Sequence, residues 1–76
     1  MTQIQKEDLY QIQIRLFRLA QIRWNLTTCD CRNLFKKYSV YDYIETCYEV
    51  YHIQGDEENL KDMEKYLKNQ GCKQCI

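Results

Sequence analysis

Proline is absent from this 76-residue chain, and glycine occurs only at Gly55 and Gly71. With no proline, any segment is free to be helical, so the question becomes where helices stop. Excess charge is also missing: eleven Lys plus Arg balance eleven Asp plus Glu. That balance argues against a generic DNA-coating protein and against a polybasic membrane binder. Long apolar runs are lacking, which removes a membrane span. Residues 1–8 are mostly polar and carry no signal-peptide pattern, so the expected location is cytoplasmic. There is no Gly/Ser linker, composition break or internal repeat, which predicts one helical domain over 7–69 with a Cys-containing C-terminal tail over 70–76.

Apolar residues make up 45% of the chain, too many for a disordered segment. Five cysteines are present, at Cys29, Cys31, Cys47, Cys72 and Cys75. An odd count with little glycine and no proline is unlike a secreted disulfide scaffold, and free thiols are expected.

The first segment, 8–25, carries two periodicities. Tyr10, Ile12, Ile14 and Leu16 alternate with polar residues, as in a strand. Over a longer window Leu9, Ile12, Leu16, Leu19 and Ala20 share one helical face, widened by Phe17 and Trp24, and helix is favoured. Ile14 and Ile22 lie off that face, so the helix carries more apolar surface than one neighbour covers. A second helix follows Thr27, which with Asp30 forms a capping-box pattern and turns Cys31, Leu34 and Phe35 inward. A third is predicted from Ser39, again boxed with Asp42, and its stripe of Val40, Ile44, Cys47, Tyr48 and Tyr51 continues until Gly55 ends it in a left-handed conformation. The fourth starts at Asp56, with Glu57 and Glu58 beside its positive end, carries Leu60, Met63 and Leu67, and stops at Gly71. The expected architecture is an all-α, compact bundle of three to four short helices.

Leu26, Thr27 and Asp30, the run from Leu34 to Tyr38, Val40, Asp42, Tyr43, Ile44, Tyr48, Glu49, Val50, His52, Gly55, Asp62, Tyr66 and Leu67 keep a spacing across three helices. Over about 26–67 this pattern resembles the small bacterial family called domain of unknown function 3791. The chain departs from it at Tyr51, Ile53 and Met63, where Leu, Thr and Ile are usual. The resemblance implies a small helical accessory protein, often encoded beside a companion that looks like an ADP-ribosyltransferase toxin. It therefore implies an antitoxin-like role toward a protein partner encoded by the adjacent gene.

Several residues invite chemistry. Cys29 with Cys31, and Cys72 with Cys75, resemble halves of a zinc site, but residues two apart on a helix point about 200° apart. Incidental or core thiols are favoured, and no metal or cofactor is expected. The pair after Gly71 also reads as a redox-labile dithiol, which keeps a thiol- or zinc-dependent small regulatory protein as the alternative. His52, the single histidine, lacks a Ser or Cys nucleophile with a plausible partner; beside Tyr48 or Asp62 it would be an acid/base group, and otherwise it marks, with Gly55, a structural corner. A helix-turn-helix threading would make 42–50 the reading helix, but Asp42, Glu45 and Glu49 with no Lys or Arg would repel phosphate, so no nucleic acid partner is expected.

Neutral overall charge hides an asymmetry. Residues 1–38 carry seven basic groups against three acids, and residues 39–76 carry four lysines against eight acids. Such polarity serves either attraction between helices of one bundle or orientation of a partner. Seven tyrosines are also many for this length. The resulting expectation is a noncatalytic protein-binding module, not an enzyme. Its partner surface would be Tyr41, Asp42, Tyr43, Glu45 and Glu49, with the surplus apolar face of the first helix forming a homodimer or a second partner site.

Overall fold

In the computed structural model, which describes residues 1–72, five helices follow one another: α1 (Gln3–Arg23), α2 (Thr28–Lys37), α3 (Val40–Thr46), α4 (Tyr48–Tyr51) and α5 (Asp56–Asn69). No strand occurs among the described residues, and the all-α expectation holds. The radius of gyration is 11.8 Å, close to the roughly 11 Å of a compact chain of this length.

Helix α1 begins earlier than the periodicity indicates. Thr2 Oγ1 accepts the Gln5 N–H at 3.1 Å, and Gln5 Oε1 accepts the Thr2 N–H at 2.9 Å, a reciprocal cap. The strand-like alternation dissolves in the fold. Ile12 and Leu16 are buried while Tyr10 and Ile14 are exposed, although all four would share one strand face. Leu19, read as inward, is instead exposed at 37%.

Asn25, at φ 52°, ends α1: its N–H reaches Ile22 O at 3.2 Å, and the Leu26 N–H reaches Gln21 O at 3.0 Å. This left-handed exit leads within two residues to the cap of α2, where Thr27 Oγ1 accepts the Asp30 N–H at 3.0 Å.

The start of α3 differs from expectation. Ser39 makes no capping bond, because it sits at φ 52° and ψ 44°. It is the residue that reverses the chain after α2, and the left-handed turn takes its hydroxyl out of range of the next helix's N–H groups. The long third helix also divides. Cys47, at φ −93° and ψ 10°, separates α3 from α4, just after the Thr46 hydroxyl donates to Asp42 O at 3.0 Å. Such back-bonding competes with the helical ladder and bends it. Gly55 is not left-handed: at φ −71° and ψ 157° it is the extended N-cap residue of α5. Gly71 does adopt φ 86°, and the Gly71 and Cys72 N–H groups bond Lys68 O at 3.1 Å and Leu67 O at 2.9 Å. The same turn tucks Cys72 into the core at 2% exposure, so it is not displayed on a tail. Cys75 lies outside the described residues.

One core joins all five helices. Leu9, Ile12, Leu16 and Ala20 of α1 meet Cys31, Leu34 and Phe35 of α2, Val40 and Ile44 of α3, Tyr48 and Tyr51 of α4, and Leu60, Met63 and Leu67 of α5. Each large apolar side chain buried there contributes about 1.5–3 kcal/mol. Helix α1 is the central beam, packed against α2, α3 and α5.

Candidate functional site

Helix α3 places its two tyrosines on different sides. The Tyr41 ring lies 5.1 Å from Phe35 and 6.5 Å from Phe17, and its backbone carbonyl accepts from Gln13 Nε2 at 3.1 Å. It remains 41% exposed, and partial burial raises its hydroxyl pKa. Asp42, Glu45 and Glu49 are exposed along the same connected stretch. No Lys or Arg occurs along this ridge from residue 39 to residue 60, although Arg32 of α2 lies near enough to Tyr41 to act on its hydroxyl. Val50 and Ile53 lie exposed near the ridge's end.

Tyr43 points the other way. Its ring stacks on Tyr66 at 3.9 Å and meets the Tyr51 ring edge-on at 6.3 Å. Its hydroxyl donates to Asp62 Oδ2 at 2.7 Å, and the Tyr51 hydroxyl donates to the same oxygen at 2.5 Å. The Tyr66 hydroxyl donates to Tyr38 O at 2.7 Å. Burial, followed by the Asp62 hydrogen bond, pushes the Tyr43 and Tyr51 hydroxyls well above the ordinary phenol range. This group is a clasp binding α3, α4 and α5 together. The surface set of Tyr41, Asp42, Tyr43, Glu45 and Glu49 is thus divided: Tyr43 belongs to the clasp and the other four face outward.

His52 is exposed, and its ring stacks on Tyr48 at 4.9 Å. The Tyr48 hydroxyl donates instead to Asp8 Oδ2 at 2.9 Å, and Asp62 serves the clasp. Of the two neighbours expected for His52, Tyr48 is brought beside it as a stacked ring, while the Asp62 carboxylate is engaged by Tyr43 and Tyr51. The His52 N–H bonds Tyr48 O at 2.9 Å at the end of α4, and Gly55 O accepts the Asn59 N–H at 3.1 Å at the start of α5. Asn59, which its residue type does not advertise, is fully buried and donates from Nδ2 to Tyr51 O at 2.9 Å. It ties the end of α4 to α5.

The cysteines separate by environment. Cys29 is exposed, and Asn33 Nδ2 approaches its sulfur at 3.8 Å. Cys31 is buried, its thiol directed at Phe17 O at 3.8 Å, and burial pushes its pKa up to about 11. A thiol so shifted is a poor nucleophile at neutral pH. No group of three or more His, Cys, Asp or Glu able to hold a metal ion occurs among the described residues. Among the described residues, no helix is long and apolar enough to cross a membrane.

Part of the charge asymmetry is spent inside the molecule. Arg15 Nε pairs with Asp56 at 3.1 Å, Arg23 with Glu57 at 2.5 Å and with Glu64 at 3.1 Å, and Trp24 Nε1 donates to Glu64 at 2.8 Å. Glu57 and Glu64 raise the Arg23 pKa further. These contacts draw α1 and α5 together. The acids of the α3–α4 ridge enter no ion pair among the described residues.

Against known proteins, the family model described as protein of unknown function (DUF3791) matches residues 13–70. The match reaches back into α1, beyond the stretch that carries the sequence pattern. No curated protein and no solved structure matches the chain. Since the match spans most of its length, the chain belongs to the DUF3791 family.

Proposed function

We propose that this member of the DUF3791 family is a noncatalytic protein-binding module whose α3–α4 ridge receives a basic surface of a protein partner. One observation carries the reading: Tyr41, Asp42, Glu45 and Glu49 stand exposed on a stretch without a single cation, next to exposed Val50 and Ile53. Acid groups steer and orient a basic partner, while a half-exposed tyrosine and nearby aliphatic side chains supply apolar area at low entropic cost. The partner we propose is an ADP-ribosyltransferase-type protein encoded by the adjacent gene, which this chain neutralises by occupying its surface. The family resemblance supports that identity, and the ridge supports the mode of contact.

Co-expression with the neighbouring gene product tests it. The wild-type chain should co-purify with that product and suppress its activity. A variant with Asp42→Lys, Glu45→Lys and Glu49→Lys should keep the wild-type melting temperature, since all three side chains are exposed, and release the partner. Retention by that variant would remove the ridge from the interface. A partner left unbound and fully active beside the wild-type chain would overturn neutralisation.

A further inference from the structure

Helix α1 buries one face and leaves the other bare, and the bare face has an internal symmetry. Ile4, Glu7, Gln11, Ile14, Arg18 and Ile22 are all exposed, and their spacing of three or four residues lines them along one stripe. The three isoleucines are 80%, 61% and 76% exposed. We infer that this stripe is the interface of an antiparallel, two-fold symmetric dimer in which α1 of one copy lies against α1 of a second copy.

The order of residues along the stripe is self-complementary when reversed. With the two-fold axis between Gln11 and Ile14, Glu7 faces Arg18 of the second copy, and the symmetry repeats that pair. Ile4 arrives beside Ile22 of the second copy, at a surface groove lined by Arg18, Gln21, Ile22, Asn25 and Leu26. At the centre Gln11 faces Ile14 of the second copy, and the symmetry repeats that contact as well. A parallel arrangement would set Glu7 against Glu7 and Arg18 against Arg18, so charge selects the antiparallel one.

Charge within the monomer points the same way. Arg15 and Arg23 are engaged by acids of α5, whereas neither Glu7 nor Arg18 enters an ion pair among the described residues. The only polar contact of the Glu7 side chain among them is Gln3 Nε2 at 3.4 Å, one turn away on the same helix. An isologous contact needs one patch that complements itself, and this stripe is such a patch. From Ile4 to Ile22 it is about 27 Å long. A single helix face covers less than the roughly 800 Å² per partner of a standard interface, so this is a small contact of the weak, transient class. The α1 stripe is a different surface from the acidic ridge, so the dimer stands or falls independently of the partner proposed above.

Sedimentation velocity on the full chain, across micromolar to millimolar concentration, tests the pairing. The wild type should pass from monomer to dimer. Glu7→Arg alone and Arg18→Glu alone should each weaken association by about tenfold or more, because each places like charges opposite one another. An equimolar mixture of the two single variants should associate again, since both cross pairs are then of opposite sign, and the chain carrying both changes should dimerise like the wild type. Ile14→Asp should be monomeric with an unchanged melting temperature. A wild type that stays monomeric throughout, association indifferent to both charge reversals, or a mixture that fails to recover would each overturn the inference.

Discussion

Helices α1 and α5 are held side by side by the Arg15–Asp56 and Arg23–Glu64 pairs, yet they use their apolar residues differently. In α5, Leu60, Met63 and Leu67 are all buried, and the outward positions are charged or polar. Helix α1 buries Leu9, Ile12, Leu16 and Ala20 and still displays Ile4, Ile14 and Ile22. The first pattern is what folding alone requires. The second leaves three isoleucines outside the monomer's core, on the surface that the proposed dimer would use.

The sharpest test of that contrast lies within α1. Leu16→Ala removes a fully buried side chain and should cost about 2–5 kcal/mol in urea unfolding, while Ile14→Ala should change monomer stability by less than about 0.5 kcal/mol. Equal losses at both positions would mean that the outer face is already covered within one chain.

The next largest effect belongs to the clasp that secures α5 to α3 and α4. Tyr51→Phe deletes a partly buried hydrogen bond to a carboxylate and should cost about 1.5–3 kcal/mol. The clasp also sets a pH dependence. The Tyr43 and Tyr51 pKa values are raised in the folded state, so folded protein holds these protons more tightly than unfolded chain does. Their stabilisation is complete below the unfolded phenol pKa of about 10 and is lost as pH rises above it. Thermal melts from pH 9 to 11 should show a declining midpoint for the wild type and a flatter profile for the Tyr43→Phe, Tyr51→Phe double variant.

Smaller effects distinguish the two hydroxyl residues that precede helices, Thr27 which caps α2 and Ser39 which makes no capping bond. Thr27→Ala should lose about 1 kcal/mol. Ser39→Gly should be neutral or stabilising by up to about 1 kcal/mol, because glycine adopts the left-handed conformation without a Cβ penalty. Smallest of all, Arg15→Ala should cost less than about 1 kcal/mol, since its pair with Asp56 is half exposed. A larger loss would show that ion pairing to α5, more than burial of Leu16 and its neighbours, holds α1 in place.

Much of the fold was legible because helical periodicity and caps are local signals. The inward residues of α2 and α5, the Thr27 cap and the stop at Gly71 follow from spacing and residue type, whereas the left-handed conformation expected at Gly55 is found at Gly71. The break at Cys47 was not legible, because the apolar stripe continues across it from Ile44 to Tyr48 and Tyr51. Only the competing Thr46 bond and the packing of two short segments reveal it. Ser39 misled because two roles met at one residue: it follows one helix and precedes the next, and the left-handed turn excludes the cap. Of the surface residues read from sequence, Tyr43 was the one whose partners could not be foreseen. Asp62 and Tyr66 lie nineteen and twenty-three positions away, and no local rule pairs them with it.

Sequence by itself determined the helical class, the main apolar stripes, the acidic character of residues 39–60 and the surplus of isoleucine on the first helix. These depend on neighbours three or four positions apart and on composition, both of which can be read in order along the chain. Tertiary structure alone decided which charges were already spent and which stayed outward. Arg15, Arg18 and Arg23 look alike in sequence, but α5 brings acids to the first and last and leaves Arg18 beside Ile14 and Ile22. The same cause half-buried Tyr43 and left Tyr41 exposed. Residues two apart on a helix face different neighbours, and those neighbours come from distant parts of the chain.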